Sequence, residues 1–188
     1  NTTAGTCTTS GAWYDGSTGK INSAMDFDGT DDYVATSSNP TTQTTNMSYS
    51  AWVKWTGASQ NAIVLYNGNS ASDGYGLYVS DCAGSSGNKF GVLLGGVTYC
   101  AVSTPTGAVP SNEWFHVLVT RDTANWKIYL NGVLQNGTST SDPGTPTANL
   151  SIGANHDGTL SPFAGQVDDV RIFNYPLTAA QARDVYNN

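Results

Sequence analysis

Large apolar side chains come in short runs broken by Gly, Asn, Ser, Thr and Pro, with almost no helical spacing. The stretch 47–55, Met-Ser-Tyr-Ser-Ala-Trp-Val-Lys-Trp, alternates well enough for a strand with one buried face. Further short runs fall at 63–66, 75–79, 90–94, 97–102, 150–153 and 167–173. The clearest hairpin joins 114–120 to 126–130 through a turn at 121–125, and Asn131-Gly132 directly afterwards is the strongest short hairpin signal. The segment 139–148 carries Pro143, Gly144 and Pro146 and reads as a loop. Only the end reads as helix: Thr178 followed three residues later by Gln181 is a capping-box pattern, leading a single short helix to Tyr186. Many short strands with one terminal helix predict two packed antiparallel sheets, an all-β sandwich.

The chain has 188 residues. That length suits a single β-sandwich over 21–188, preceded by an irregular, Gly/Thr-rich arm over 1–20 in which Trp13 and Tyr14 are the large side chains. Only 11% of the residues are charged and the formal net charge is −7. Nucleic acid and anionic membranes are bound through Lys/Arg-rich patches, and no such patch occurs. No apolar run approaches the ~20 residues of a membrane span, so no membrane insertion is expected. The neutral, hydrogen-bonding composition suits an extracellular or cell-surface protein. Cys82 and Cys100 flank a run of short strands and can bridge in an oxidising compartment, with reduced thiols as the alternative. Cys7 is left over, either free or paired elsewhere.

With so few charges, two acidic stretches stand out. Asp28, Gly29, Asp31 and Asp32 lie in Phe-Asp-Gly-Thr-Asp-Asp-Tyr-Val, and Asp168 with Asp169 lie in Gly-Gln-Val-Asp-Asp-Val-Arg-Ile-Phe. Each abuts a run that reads as a strand. Ca²⁺ takes six to eight oxygens from carboxylates, carbonyls and water, and a Gly-containing loop with several Asp can supply a number of them. Convergence of both stretches on one Ca²⁺ would tie the start of the domain to its end. In a regular strand Asp168 and Asp169 point to opposite faces, so only one can reach that ion, and Asp168 is favoured. The alternative is that these carboxylates cap turns and pair with Arg171 or Arg183.

Carboxylate-pair catalysis finds little footing. Glycoside hydrolysis needs two carboxyl groups flanking the bond. Glu113 is the only Glu and reads as a turn, and no strand carries two Asp on one face. His116 inside a strand reads as a hydrogen-bonded core or edge residue. His156 lies in a loop without a nucleophile pattern. Trp55, Tyr66, Tyr78, Trp126 and Tyr129 are aromatic faces that could stack on sugar rings if exposed, or pack in the core if not.

Five segments in order, 24–34, 50–54, 114–117, 128–132 and 165–174, resemble the laminin-G-like domains of bacterial surface proteins, within the concanavalin A-like jelly-roll superfamily. The likeness spans roughly residues 20–186. It implies a curved jelly-roll sandwich and implies binding or adhesion more often than catalysis. It also implies core packing for Trp52 and Trp114, and a calcium position near Asp169 in the last strand. A second, ligand-bridging Ca²⁺ position is implied at Asp73, Asn155 and Asp157, with Asn155 and His156 beside a ligand; the alternative, which the residues themselves favour, is that these are polar groups in solvent-exposed turns. The expectation is therefore a non-catalytic carbohydrate-recognition module with bound calcium, part of a larger surface protein, its partner a glycan or a cell-surface protein. A structural display or assembly domain is one alternative. A polysaccharide lyase or hydrolase on the same fold is the other.

Overall fold

The computed structural model describes residues 19–58, 61–80, 82, 88–123 and 125–188. Eleven strands and one helix follow one another among them: β1 (Met25–Asp28), β2 (Val34–Ala35), β3 (Asn46–Trp55), β4 (Ala62–Asn67), β5 (Tyr75–Ser80), β6 (Lys89–Leu94), β7 (Trp114–Asp122), β8 (Asn125–Leu130), β9 (Val133–Gly137), β10 (Leu150–Ile152), β11 (Ala164–Phe173) and α1 (Ala179–Asn187). They form a six-stranded sheet ordered β1-β11-β3-β7-β8-β9 and a five-stranded sheet ordered β2-β10-β4-β5-β6, every pairing antiparallel. The expected all-β two-sheet sandwich with a C-terminal helix is what forms. Cys7 and most of the 1–20 arm, with Trp13 and Tyr14, lie outside the described residues.

Period-two alternation sorts the side chains. From β3, Met47, Tyr49, Ala51, Val53 and Trp55 point inward. They meet Val64, Leu65, Tyr75, Leu77, Val79, Phe90, Val92 and Leu94 of the opposite sheet in one continuous core. Trp126 lies in the same core, fully buried, its indole N–H donating to the Ser141 carbonyl at 2.9 Å. Arg121 stands over its ring and closes one end of the core, with its guanidinium paired to Asp142. Strand β7 therefore runs through Arg121 and Asp122, two residues further than the sequence indicates, and the turn to β8 shrinks accordingly. Asn131-Gly132 does turn a hairpin, β8 to β9. Both residues hold the positive φ such a turn needs, 49° and 74°.

The six-stranded sheet has a second apolar side. Leu118 and Tyr129 face outward and are covered by Leu177 and Ala182 of the C-terminal segment. Trp52 is also outward-facing, in contact with His116 and with Tyr186 of α1, and Lys20 Nζ sits 4.3 Å from its ring centre. Thr178 caps α1 with both halves of a capping box present. Ser48 anchors the approach to α1, donating to the Tyr175 carbonyl and accepting from the Leu177 N–H.

Candidate functional site

The two acidic stretches are neighbours, since β1 pairs with β11, but the register keeps their carboxylates apart. Asp28 stands opposite Ala164, and Asp168 lies four residues further along β11, about 13 Å at strand rise. Among the described residues no group of three His, Cys, Asp or Glu side chains is arranged to share an ion. The single shared pocket expected from sequence is therefore not what the fold builds.

The carboxylates instead hold backbone. Asp28 accepts from the Thr30 N–H at 2.7 Å, and Asp32 accepts from the Asp28 N–H at 3.3 Å. Between them Gly29 takes φ 82°, and a Cβ there would lie 2.8 Å from that of Ala164. Asp31 adjoins this turn without joining a metal-like group. Asp168 accepts from the Ile21 N–H at 2.7 Å and the Asp169 N–H at 2.8 Å. So the front of the domain is tied to its rear by a hydrogen bond and a strand ladder. Alternation also fails here: β11 is bulged, with Asp169 and Val170 opposing the single residue Ala51. Asp169 takes φ 47° and pairs with Arg171 at 2.9 Å.

The second cation position fares alike. Asp73 accepts from the N–H groups of Asn69 and Thr147 and from the hydroxyls of Thr147 and Ser72. Burial alone would raise its pKa, but those hydrogen bonds outweigh it and hold the carboxyl below its usual range. Asp157 accepts from the Thr159 hydroxyl and N–H, which likewise lower its pKa. Asn155 is buried, its side-chain oxygen accepting from the Leu160 N–H at 2.9 Å. His156 lies beside Asp157 at 3.9 Å. These residues brace loops: both Asp73 oxygens, Asp157 Oδ1 and Asn155 Oδ1 accept hydrogen bonds from protein donors, and among the described residues no three His, Cys, Asp or Glu side chains are grouped as a cation site would need.

The aromatic candidates separate cleanly. Trp55 and Trp126 are 1% and 0% exposed and belong to the core, so neither can meet a ligand. Tyr66 is also fully buried. Its hydroxyl donates to the Asp73 carbonyl and accepts from the Gly95 N–H, joining two loops, while burial raises its pKa. His116 is buried without a hydrogen bond from any described residue to either ring nitrogen, so it is an aromatic packing residue instead of a hydrogen-bonded one. Of the aromatic set, Tyr78 lines a surface depression.

That depression is a groove of about 590 Å³ on the outer face of the five-stranded sheet, within the range of small-ligand sites. Ile63, Tyr78 and Leu93, which point away from the core on β4, β5 and β6, make its floor. Ser70 and Ala71 from the β4–β5 loop, Leu160 and Ser161 from the β10–β11 loop, and Tyr99 after β6 form its walls. Polar groups are concentrated at the Asn61 end: Tyr78 Oη is 2.7 Å from Ser80 Oγ, which donates to Asn61 Oδ1 at 2.7 Å. Tyr99 and Leu160 are 69% and 57% exposed, apolar surface presented on opposite walls. Neither residue is signalled by the sequence. Tyr99 sits in an alternating run that reads as plain strand, and Leu160 in a Gly/Ser/Thr loop. Asn155, singled out as a ligand contact, acts one step back by fixing Leu160.

The fold is a two-sheet jelly-roll sandwich with an apolar groove, edged by hydrogen-bonding groups, on the outer face of its five-stranded sheet. The sequence pattern described as the Concanavalin A-like lectin/glucanases superfamily matches residues 28–183, and the chain belongs to that family. No curated protein sequence matches it. Among solved structures it is similar to Domain 4 of AbnA, a GH43 extracellular arabinanase from Geobacillus stearothermophilus in complex with arabinotriose. That match has 20% identity and a TM-score of 0.69, covering 93% of this chain and 80% of that one. It is similar to the CBM40 of the Ruminococcus gnavus IT-sialidase bound to α2,3-sialyllactose, with 16% identity, TM-score 0.63, and 87% and 96% covered. It is also similar to the SAP-like pentraxin of Limulus polyphemus, with 15% identity, TM-score 0.62, and 86% and 80% covered. At these identities the likeness concerns the fold.

Proposed function

We propose that this domain is a non-catalytic carbohydrate-binding module whose ligand lies in the groove over Ile63, Tyr78 and Leu93. The observation that carries the reading is the pairing of an apolar floor and rim with a line of neutral hydrogen-bonding groups, Asn61, Ser70, Tyr78, Ser80 and Ser161. A sugar ring has the same two-sided character, flat C–H faces and a hydroxyl edge. Two of the similar structures hold oligosaccharides, an arabinotriose and a sialyllactose, which supports the same class of ligand. Among the described residues the lining holds no carboxyl group, which supports a binding role over glycoside hydrolysis by a carboxylate pair. Glu113 is exposed in the turn before β7 and absent from that lining.

The Cys82–Cys100 bridge that forms is compatible with an extracellular setting, and we place the domain there, as a targeting or adhesion unit of a larger surface protein. Among the described residues no helix is long and apolar enough to cross a membrane. The proposed binding does not call on calcium: the groove lies apart from the acidic candidates, which accept hydrogen bonds from backbone N–H and side-chain O–H groups. The test is an immobilised oligosaccharide array, followed by titration calorimetry on whatever is retained. Ala71 is exposed on the groove wall, so Ala71→Arg should block the groove while leaving the fold intact. Retention of full affinity in that variant would move the site elsewhere.

A further inference from the structure

Resting on that reading, we infer that the groove selects uncharged oligosaccharides, with Tyr99 as the stacking platform between two sugar positions and the Cys82–Cys100 bridge as the device that presents it. A second depression of about 250 Å³ adjoins the first and shares Ser70, Ala71, Leu93 and Tyr99 with it, continuing to Gly96, Val97 and Thr98. Tyr99 thus stands where the two depressions meet, with 69% of its surface exposed. An aromatic face so placed is offered to one ring while its edge borders the next. A ligand of at least two residues fits this arrangement better than a monosaccharide.

The backbone explains why Tyr99 projects. After β6 the chain turns back and pairs along its edge, with bridges at Leu94 to Thr98 and at Gly91 to Ser103. Three steps along β6 are answered by five along the returning segment, so two residues are squeezed out of the ladder. Pairing resumes where the Ala101 N–H donates to the Val92 carbonyl at 2.9 Å, and the expelled pair is Tyr99-Cys100. A bulge of this kind re-aims side chains. Cys100 is fixed to Cys82 at the end of β5, and the bridge lies directly on Gly91, where a Cβ would stand 2.8 Å from Cys100 Sγ and 3.3 Å from Cys82 Sγ. The Cys82 N–H in turn donates to Ser80 Oγ at 3.0 Å, joining the bridge to the polar end of the groove. One covalent link therefore holds both the aromatic wall and the Ser80–Asn61–Tyr78 network.

Charge sets the ligand class. Among the described residues no Asp, Glu, Lys, Arg or His lines either depression. A carboxylated sugar would lose water on entering without meeting a cation, which is costly for a charge and cheap for a hydroxyl. The net charge of −7 adds repulsion at long range. Lys89 is the cross-strand neighbour of Ser80, but it stands outside both linings.

The experiment measures binding of the whole chain to neutral oligosaccharides (arabino-, xylo-, gluco- and galacto-series) and to acidic ones (oligogalacturonate, sialyllactose). Wild type, Ala71→Arg, Tyr99→Ala and Tyr99→Phe are compared, oxidised and after treatment with a thiol reductant, with near-ultraviolet circular dichroism as the check on folding. The expected result is tightest binding within the neutral set, loss of about tenfold or more for Tyr99→Ala, and most affinity kept by Tyr99→Phe, since stacking needs the ring and not the hydroxyl. Reduction should weaken binding while the dichroism persists; should the reduced protein fail to fold, the two Tyr99 variants decide. Acidic ligands binding tightest, Tyr99→Ala binding like wild type while Ala71→Arg does not, or undiminished binding by folded, reduced protein would each overturn this inference and leave the groove standing. Binding indifferent to Ala71→Arg, or silence across the panel, would remove the groove reading itself.

Discussion

The outer faces of the two sheets begin from similar materials and reach opposite ends. On the six-stranded sheet Trp52, His116, Leu118 and Tyr129 point away from the sandwich core, and on the five-stranded sheet Ile63, Tyr78 and Leu93 do the same. The first set is roofed by the C-terminal segment, where Leu177, Ala182 and Tyr186 rest on it. Among the described residues the second set has only flanking walls, the β4–β5 loop, the β10–β11 loop and the bulged segment with its disulfide. An apolar strand face is thus structural or ligand-facing according to what the rest of the chain lays over it. Composition of the face does not decide the matter.

Truncation on the roofed side should have the largest effect. Trp52 is 5% exposed, and Trp52→Ala is expected to cost about 3–5 kcal/mol, lowering the melting midpoint by roughly 10 °C. A midpoint within 2–3 °C of wild type, on the order of 1 kcal/mol, would mean that the roof contributes little.

Acid should attack the same place. Burial depresses the His116 pKa from 6.5 to about 4, the nearby Asp169 carboxylate pulling it up a little and Arg171 pushing it down; Lys20 stands on the same cluster, over Trp52. The unfolded chain takes up a proton that the folded chain refuses, so this group's stabilising effect is complete above pH 6.5 and is lost as pH falls toward 4. Across that window the loss amounts to about 3 kcal/mol. Denaturant melts at several pH values should show this slope, and His116→Phe should flatten it. An equally steep slope in the variant would assign it to other groups.

A smaller change comes from the roof's hinge. Thr178→Ala removes half of the capping box on α1 and is expected to cost about 1 kcal/mol, with faster hydrogen exchange over the helix and none in the groove. On the open side the expectation reverses: Tyr99→Ala should shift stability by no more than about 0.5 kcal/mol despite its effect on binding. Smallest of all should be the response to calcium. Because Asp28, Asp73, Asp157 and Asp168 hold N–H and O–H groups, adding calcium or chelator should leave the midpoint within about 1 °C. A rise of several degrees with calcium would return an ion to these carboxylates.

Much of this architecture was legible in the residues themselves. The alternation in β3, the Asn131-Gly132 turn, the capping box at Thr178 and the Cys82–Cys100 pairing all act over short distances or through chemistry that only those residue types can supply. The site was less legible, and the reasons are tertiary. Asp28 and Asp168 do lie on adjacent strands, but their separation depends on β1–β11 register, which no local pattern encodes. One bulge reversed the expected facing of Asp169, and another ejected Tyr99 from a run that reads as ordinary strand. Trp126 and Tyr78 are both strand aromatics, yet one fills the core and the other floors a groove. Side-chain periodicity determines that two faces exist. Which face stays open is decided only when distant segments have settled, because burial is a property of the whole packed chain.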